Sequence, residues 1–198
     1  MAKARRPWEV WDNVGTAEQV DDYWTNSPAE LDHRAKLARL VKEYLAADSS
    51  LLEVGCGTGL VYKALEIQMP GLDYTGIDNS RQMLAIARKR YPGVRFQQGD
   101  AFKLKLMNRQ FDIACAFEVF GHLPEPWPAV KELVRVASKL AIFTVWPTDG
   151  PVSVDCGDHY EHPRGALLKG LAQLYGEREW AVATRSIGPV LAYVVDMR

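Results

Sequence analysis

The chain has 198 residues, 47% apolar and 25% charged, enough for one domain with a sizeable core and too apolar for a disordered or low-complexity chain. Its 24 Lys and Arg against 25 Asp and Glu give a net charge of −1, without the basic excess of a nucleic-acid binder. Three widely spaced cysteines, Cys56, Cys115 and Cys156, suggest no disulfide framework, and no apolar run nears the ~20 residues of a membrane span, so a soluble cytoplasmic protein is expected, monomer or homodimer.

Residues 1–26 are polar yet hold Trp8, Trp11 and Trp24, half of the six tryptophans. They read either as a tail with a few surface anchors, Lys3, Arg5 and Arg6 being solvated, or as a lid that orders on binding. Ser27-Pro28-Ala29-Glu30 starts a helix, with Ser27 as cap, Pro28 in the first turn and Glu30 closing a capping box. Leu37, Leu40, Val41, Tyr44 and Leu45 form its apolar face.

From residue 50, strands and helices alternate. Strands are expected at 50–54, 74–78, 94–98, 111–117 and 140–146, with helices at 60–67, 79–91 and 128–137 between them. Residues 148–162 read as a loop. A helix follows at 163–175, with Leu167, Leu171 and Leu174 inward and Gly176 as its C-cap. Strands 180–187 and 190–195 are separated only by Gly188-Pro189, which joins antiparallel neighbours. The pattern predicts a doubly wound α/β fold: about seven strands, mostly parallel, closed by an antiparallel hairpin.

The chemistry gathers where the first strand hands over to a helix, at Glu53-Val54-Gly55-Cys56-Gly57-Thr58-Gly59. Open α/β sheets bind ligands at the carboxyl ends of their strands, where glycine lets backbone approach a ligand closely. Asp78 ends the next strand, placed to take both hydroxyls of a ribose. The dinucleotide fingerprint is G-x-G-x-x-G, whereas this chain has the shorter G-x-G-x-G, with Glu53 just before it. A carboxylate there is a poor neighbour for a pyrophosphate and suits a cationic ligand, such as S-adenosylmethionine (SAM).

Four motifs in order then resemble the class I SAM-dependent methyltransferases, most of all the small-molecule branch that includes quinone-biosynthesis enzymes. They are Leu51-Leu52-Glu53-Val54-Gly55-Cys56-Gly57-Thr58-Gly59, Gly76-Ile77-Asp78-Asn79-Ser80 with Met83-Leu84, Gln98-Gly99-Asp100-Ala101, and Phe111 to Val119 with His122-Leu123. The resemblance implies a Rossmann-like seven-stranded sheet and SAM as cofactor, leaving S-adenosylhomocysteine. It implies one domain over 1–198, in which 1–50 form a lid segment and helix and 51–198 the SAM-binding core. By this likeness backbone at Gly55, Cys56, Gly57 and Gly59 faces the methionine moiety, Glu53 helps its amino group and Asp78 holds the ribose. Asn79 and Met83 border the adenine, Asp100 and Ala101 bond it, and Phe117 passes near the sulfonium. Tyr23 and Arg34 would cover the cofactor, Arg34 pairing with the methionine carboxylate. Plain alternatives stand beside these roles: a tight turn for the glycines, a turn carboxylate for Asp100, a core aromatic and a solvated arginine for Tyr23 and Arg34.

Methyl transfer from a sulfonium is an in-line displacement, and orientation alone can be worth roughly 7–11 kcal/mol. A base is needed only for a protonated acceptor. His122 is the first candidate, or else a loop-packing residue. Glu118 is a site wall or a second base. His159 or Tyr160 is placed to touch the acceptor from the 148–162 segment, which also holds Asp155, Cys156, Asp158, Glu161 and His162. The spacing fits no standard zinc site, so no metal is expected, and a polar surface loop is the simplest reading. No [DNS]-P-P-[YFW] run follows the fourth strand, no Pro-Cys nucleophile occurs, and no second glutamate follows Glu118 at the spacing of protein-arginine methylation. A small-molecule acceptor is therefore expected. A macromolecular acceptor, a SAM-binding module without activity and an NAD-dependent dehydrogenase are the other readings.

Overall fold

The computed structural model describes residues 7–155, 159–175 and 181–198. Cys156, Asp158 and Gly176, named above, lie outside the described residues, as do Lys3, Arg5 and Arg6, the first residue of the strand expected at 180–187, and the side chains of Trp8, Asp155 and Leu174.

A 3₁₀ turn at Pro7–Asp12 leads into α1 (Val14–Asn26) and α2 (Pro28–Tyr44). Residues 7–26 thus hold helical structure rather than a plain tail. Ser27 serves both helices. Its Oγ accepts from Glu30 N, opening α2, while its own N–H donates to Tyr23 O, closing α1. That N–H is spent, so the expected capping box does not form. The Glu30 carboxylate instead takes Arg34 Nη1 at 2.5 Å.

The alternating part follows as β1 (Ser50–Val54), α3 (Leu60–Gln68), β2 (Asp73–Asp78), α4 (Arg81–Arg90), β3 (Arg95–Gln98), β4 (Phe111–Ala116), α5 (Trp127–Val136) and β5 (Ala137–Thr148). Then come β6 (Ser153–Asp155), β7 (His159–Pro163), α6 (Arg164–Tyr175), β8 (Ala181–Ile187) and β9 (Val190–Asp196). Strands β3, β2, β1, β4 and β5 lie side by side and parallel. β9 runs antiparallel to both β5 and β8. These seven strands are the expected sheet.

The surprise is the segment read as a loop. β5 runs to Thr148, and its last residues, Trp146 to Thr148, pair with β7, which turns back on β6. The far edge of β5 is therefore divided, residues 140–145 to β9 and 146–148 to β7.

Strand alternation sends successive side chains to opposite faces. Leu52, Ala114, Phe143 and Tyr193 pack under α5 and α6, with Leu133 and Leu167. Leu51, Ile113, Ile142 and Val194 pack under α2, α3 and α4, with Leu37, Leu65 and Leu84. Both faces are covered, which explains near-continuous apolar strands. The carboxyl ends of β1, β2, β3 and β4 open on one side, and the 3₁₀ turn with α1 lies across them. Ser80 Oγ donates to Trp11 O at 2.6 Å, Arg81 N to Asp12 Oδ1 at 2.8 Å, and Arg90 makes a two-point pair with Asp21 at 2.6 and 2.9 Å.

Candidate active site

The strand ends and the N-terminal segment enclose a cavity of about 410 Å³. It is lined by Tyr23, Arg34, Glu53, Gly55, Cys56, Gly57, Asp78, Asn79, Met83, Asp100, Ala101, Phe117, Glu118, His122 and His159. Of the residues singled out from the sequence, Gly59 stays outside. It sits at the start of α3 with φ of 81°, where a Cβ would meet Tyr91 at 2.9 Å, and so shapes the loop from behind. Tyr160 is also absent from the lining, and Tyr23 reaches it while mostly exposed.

Gly55 and Gly57 both adopt positive φ, 76° and 52°. A Cβ on Gly55 would stand 2.2 Å from Val119 Cγ2, so the loop after β4 closes over the glycine turn only because no side chain is there. Four N–H groups of this turn are already taken. Gly55 and Cys56 donate to Ile77 O, Gly57 to Asp78 Oδ2, and Gly59 to Cys56 O. Cys56 itself points its thiol into the core, and burial pushes its pKa well above the ordinary range.

Asp78 is the hub of this end. One carboxylate oxygen accepts from Gly57 N and the other from Ser80 N, both at 2.8 Å. Burial raises its pKa against these bonds. Each oxygen keeps a further lone pair for a ligand. Asp100 forms the turn anticipated as its alternative, with Oδ1 accepting from Phe102 N at 2.9 Å, and lines the cavity as well.

Glu53 is 2% exposed. Burial lifts its pKa to about 8, opposed by the hydrogen bond from Tyr74 Oη and by the charge of Arg34. At neutral pH it is mostly a neutral acid, ready to ionise when a cation arrives. Arg34 is buried, bonded to Glu30, 4.0 Å from Glu118 Oε2, and lies 5.1 Å over the Trp24 ring. It is thus neither solvated nor free.

Glu118 follows β4 with φ of 58°, its N–H donating to Thr144 Oγ1 at 2.8 Å. Burial pushes its pKa up, but His33, 3.3 Å away, Arg34 and His122 prevail and hold it below the usual range. A lowered pKa makes Glu118 an anionic wall and a poor base. His33 had no periodicity or motif to announce it.

Beyond Phe117 the lining turns aromatic. His122 lies in a 3₁₀ turn, Phe120–His122, and its ring centroid is 4.6 Å from His159, 5.5 Å from Trp11 and 6.1 Å from Trp146. Trp146 and Gly121 are a pair the sequence did not flag. A Cβ at Gly121 would fall 2.0 Å from the Trp146 ring. His162, expected in a polar loop, is buried, and its Nε2 lies 3.0 Å from Phe120 O, tying β7 to the turn that carries His122. Burial lowers its pKa, so it is neutral and donates this bond. Among the described residues no group of three or more His, Cys, Asp or Glu side chains could hold a metal.

Residues 52–145 match a family model described as a methyltransferase domain. These residues form a methyltransferase domain. It is 33% identical over 119 residues to a demethylmenaquinone methyltransferase of Chlorobaculum tepidum, covering 59% of this chain and 45% of that one. It is 30% identical over 151 residues to a ubiquinone/menaquinone biosynthesis C-methyltransferase of Campylobacter jejuni, covering 73% and 64%. The chain therefore spans about half to just under two thirds of the length of these curated relatives. Its fold is shared with magnesium protoporphyrin IX methyltransferase from Synechocystis, at a TM-score of 0.74 and 17% identity over the whole of both chains.

Proposed function

We propose that the chain is an enzyme transferring the methyl group of SAM to a small organic acceptor, with residues 1–50 serving as lid and helix over a core formed by 51–198. The observation that carries this reading is the charge of the cofactor end. Glu30, Glu53, Asp78, Asp100 and Glu118 face one cavity with Arg34, while the N–H groups of Gly55, Cys56, Gly57 and Gly59 already have protein acceptors. A pyrophosphate needs free N–H donors and no carboxylates at a helix start. A cofactor with a sulfonium, an ammonium and a ribose suits this end far better, which argues against a dinucleotide. In this reading Asp78 takes the ribose hydroxyls, Glu53 ionises toward the ammonium, and Asp100 and Ala101 meet the adenine between Asn79 and Met83. Arg34 reaches the methionine carboxylate by giving up Glu30.

The names of the relatives point to small acceptors, and a cavity of about 410 Å³ is at the low end for ligand sites. No helix among the described residues is long and apolar enough to cross a membrane. Buried free thiols at Cys56 and Cys115 agree with a reducing, cytoplasmic setting. Incubating the chain with labelled SAM and a cell extract, with products separated by size, tests the reading. Label in small metabolites supports it. Label in macromolecules points to a larger acceptor, and SAM binding without transfer to a binding module.

A further inference from the structure

The aromatic end of the cavity is assembled from parts that cofactor binding does not require. Trp11 comes from the turn before α1, His122 from the turn after β4, Trp146 from the end of β5 and His159 from the start of β7. Their rings meet edge-on or tilted: Trp11 with His122 at 69°, Trp146 with His122 at 63° and with His159 at 68°, and the two imidazoles at 48°. Resting on the reading above, we propose that this end is the acceptor site for a flat, uncharged molecule bearing a weakly acidic hydroxyl, with His122 taking its proton and His159 positioning His122.

Three observations converge. The walls are rigid: Gly121 lets Trp146 seat against the turn of His122, and the His162 bond to Phe120 O fixes that turn to the strand bearing His159. Rigid aromatic walls favour a flat apolar body. Charge supplies the second. Arg34, the one Lys or Arg among the described lining residues, is engaged by Glu30, Trp24 and Glu118, which leaves no cation for an acceptor carboxylate or phosphate. The third is the pair of imidazoles beside an anion. Glu118, itself paired with His33, interacts electrostatically with His122 and steadies an imidazolium there. An imidazole is a base suited to neutral pH.

The step balances within these groups. An acceptor oxygen lone pair forms the new O–CH₃ bond as the S–CH₃ bond breaks, its electron pair staying on sulfur as the thioether. The hydroxyl proton passes to a ring nitrogen of His122, which returns it to solvent after the products leave.

The test uses the full chain with labelled SAM and three flat probes, 2-naphthol, 2-naphthylamine and 2-naphthoate, after SAM binding has been measured by calorimetry. The expected result is methylation of 2-naphthol in preference to the other two. His122→Gln should lower kcat on 2-naphthol by about a hundredfold or more, the usual span for a lost general base. It should lower kcat far less on an electron-poor phenol already ionised at the assay pH, and leave SAM affinity unchanged. A merely structural histidine would impair both phenols alike, and that result overturns the proposal. So does a preference for the amine or the carboxylate, or no transfer to 2-naphthol despite SAM binding. Failure of SAM to bind overturns the cofactor reading and this proposal with it. If His122→Gln does not fold, the ranking of the three probes by the wild-type chain decides.

Discussion

The two ends of the cavity are built on opposite principles. The end proposed for the cofactor is a set of carboxylates at strand ends, Asp78 held by the N–H groups of Gly57 and Ser80, Glu53 by the Tyr74 hydroxyl and Asp100 by Phe102 N. The acceptor end is aromatic rings from four separate elements, held by packing and one buried histidine bond. Charge and hydrogen bonds therefore govern the first end, and shape governs the second. Substitutions should separate them: cofactor-end changes should alter SAM affinity at constant acceptor preference, and acceptor-end changes the reverse.

The largest effect is expected at Asp78. Asp78→Ala removes two backbone bonds and the proposed ribose contact, and should weaken SAM binding by at least about 1–3 kcal/mol, roughly five- to 150-fold. Calorimetry on the folded variant checks this, and unchanged affinity would remove the ribose role. Next is Gly121→Ala, which forces a methyl group into the Trp146 ring. Overpacking costs about 1–3 kcal/mol, seen as a lower Tm, with raised KM for the acceptor and little change in SAM affinity. An equal loss of SAM affinity would break the division between the ends.

Glu53 supplies a sharper test through protons. Its pKa of about 8 lies above the ordinary 4.5, so the neutral form stabilises the fold fully below pH 4.5, and this contribution is lost as pH climbs through 8. Binding of an ammonium beside it should ionise Glu53. SAM binding at pH 7 should then release close to one proton, read from calorimetry in two buffers of different ionisation heat. Glu53→Gln, which can still accept from Tyr74, should abolish the release and flatten the alkaline loss of stability. Smallest is Arg90→Ala, which cuts the partly exposed tether to Asp21. It should cost about 1 kcal/mol or less. The expected sign is faster SAM dissociation in stopped flow, with the wild-type rate approaching that of the variant as salt rises.

The same contrast explains what could be read from residues alone. β1, β2, β4 and the last hairpin announced themselves, because buried parallel strands are apolar runs and Gly188-Pro189 leaves room only for a turn back. Glu53 and Asp78 are legible because each stands at the end of a strand beside the glycine turn, and Asp100 only through the likeness of its motif to the family's. The His33–Glu118 pair and the Trp146–Gly121 contact join segments far apart in sequence and carry no periodicity. The β6–β7 hairpin reads as a loop in the sequence because its short strands are rich in Asp, His and Glu, and a pairing of three residues on the tip of β5 leaves no apolar run. The missing capping box is likewise tertiary, since Ser27 N–H was claimed by the helix before it.

The most direct test of the central claim is equilibrium titration of the full chain with SAM, repeated with NADH. Saturable one-to-one binding of SAM, with no binding of NADH, is the predicted result. Tight binding of NADH and none of SAM would contradict the account.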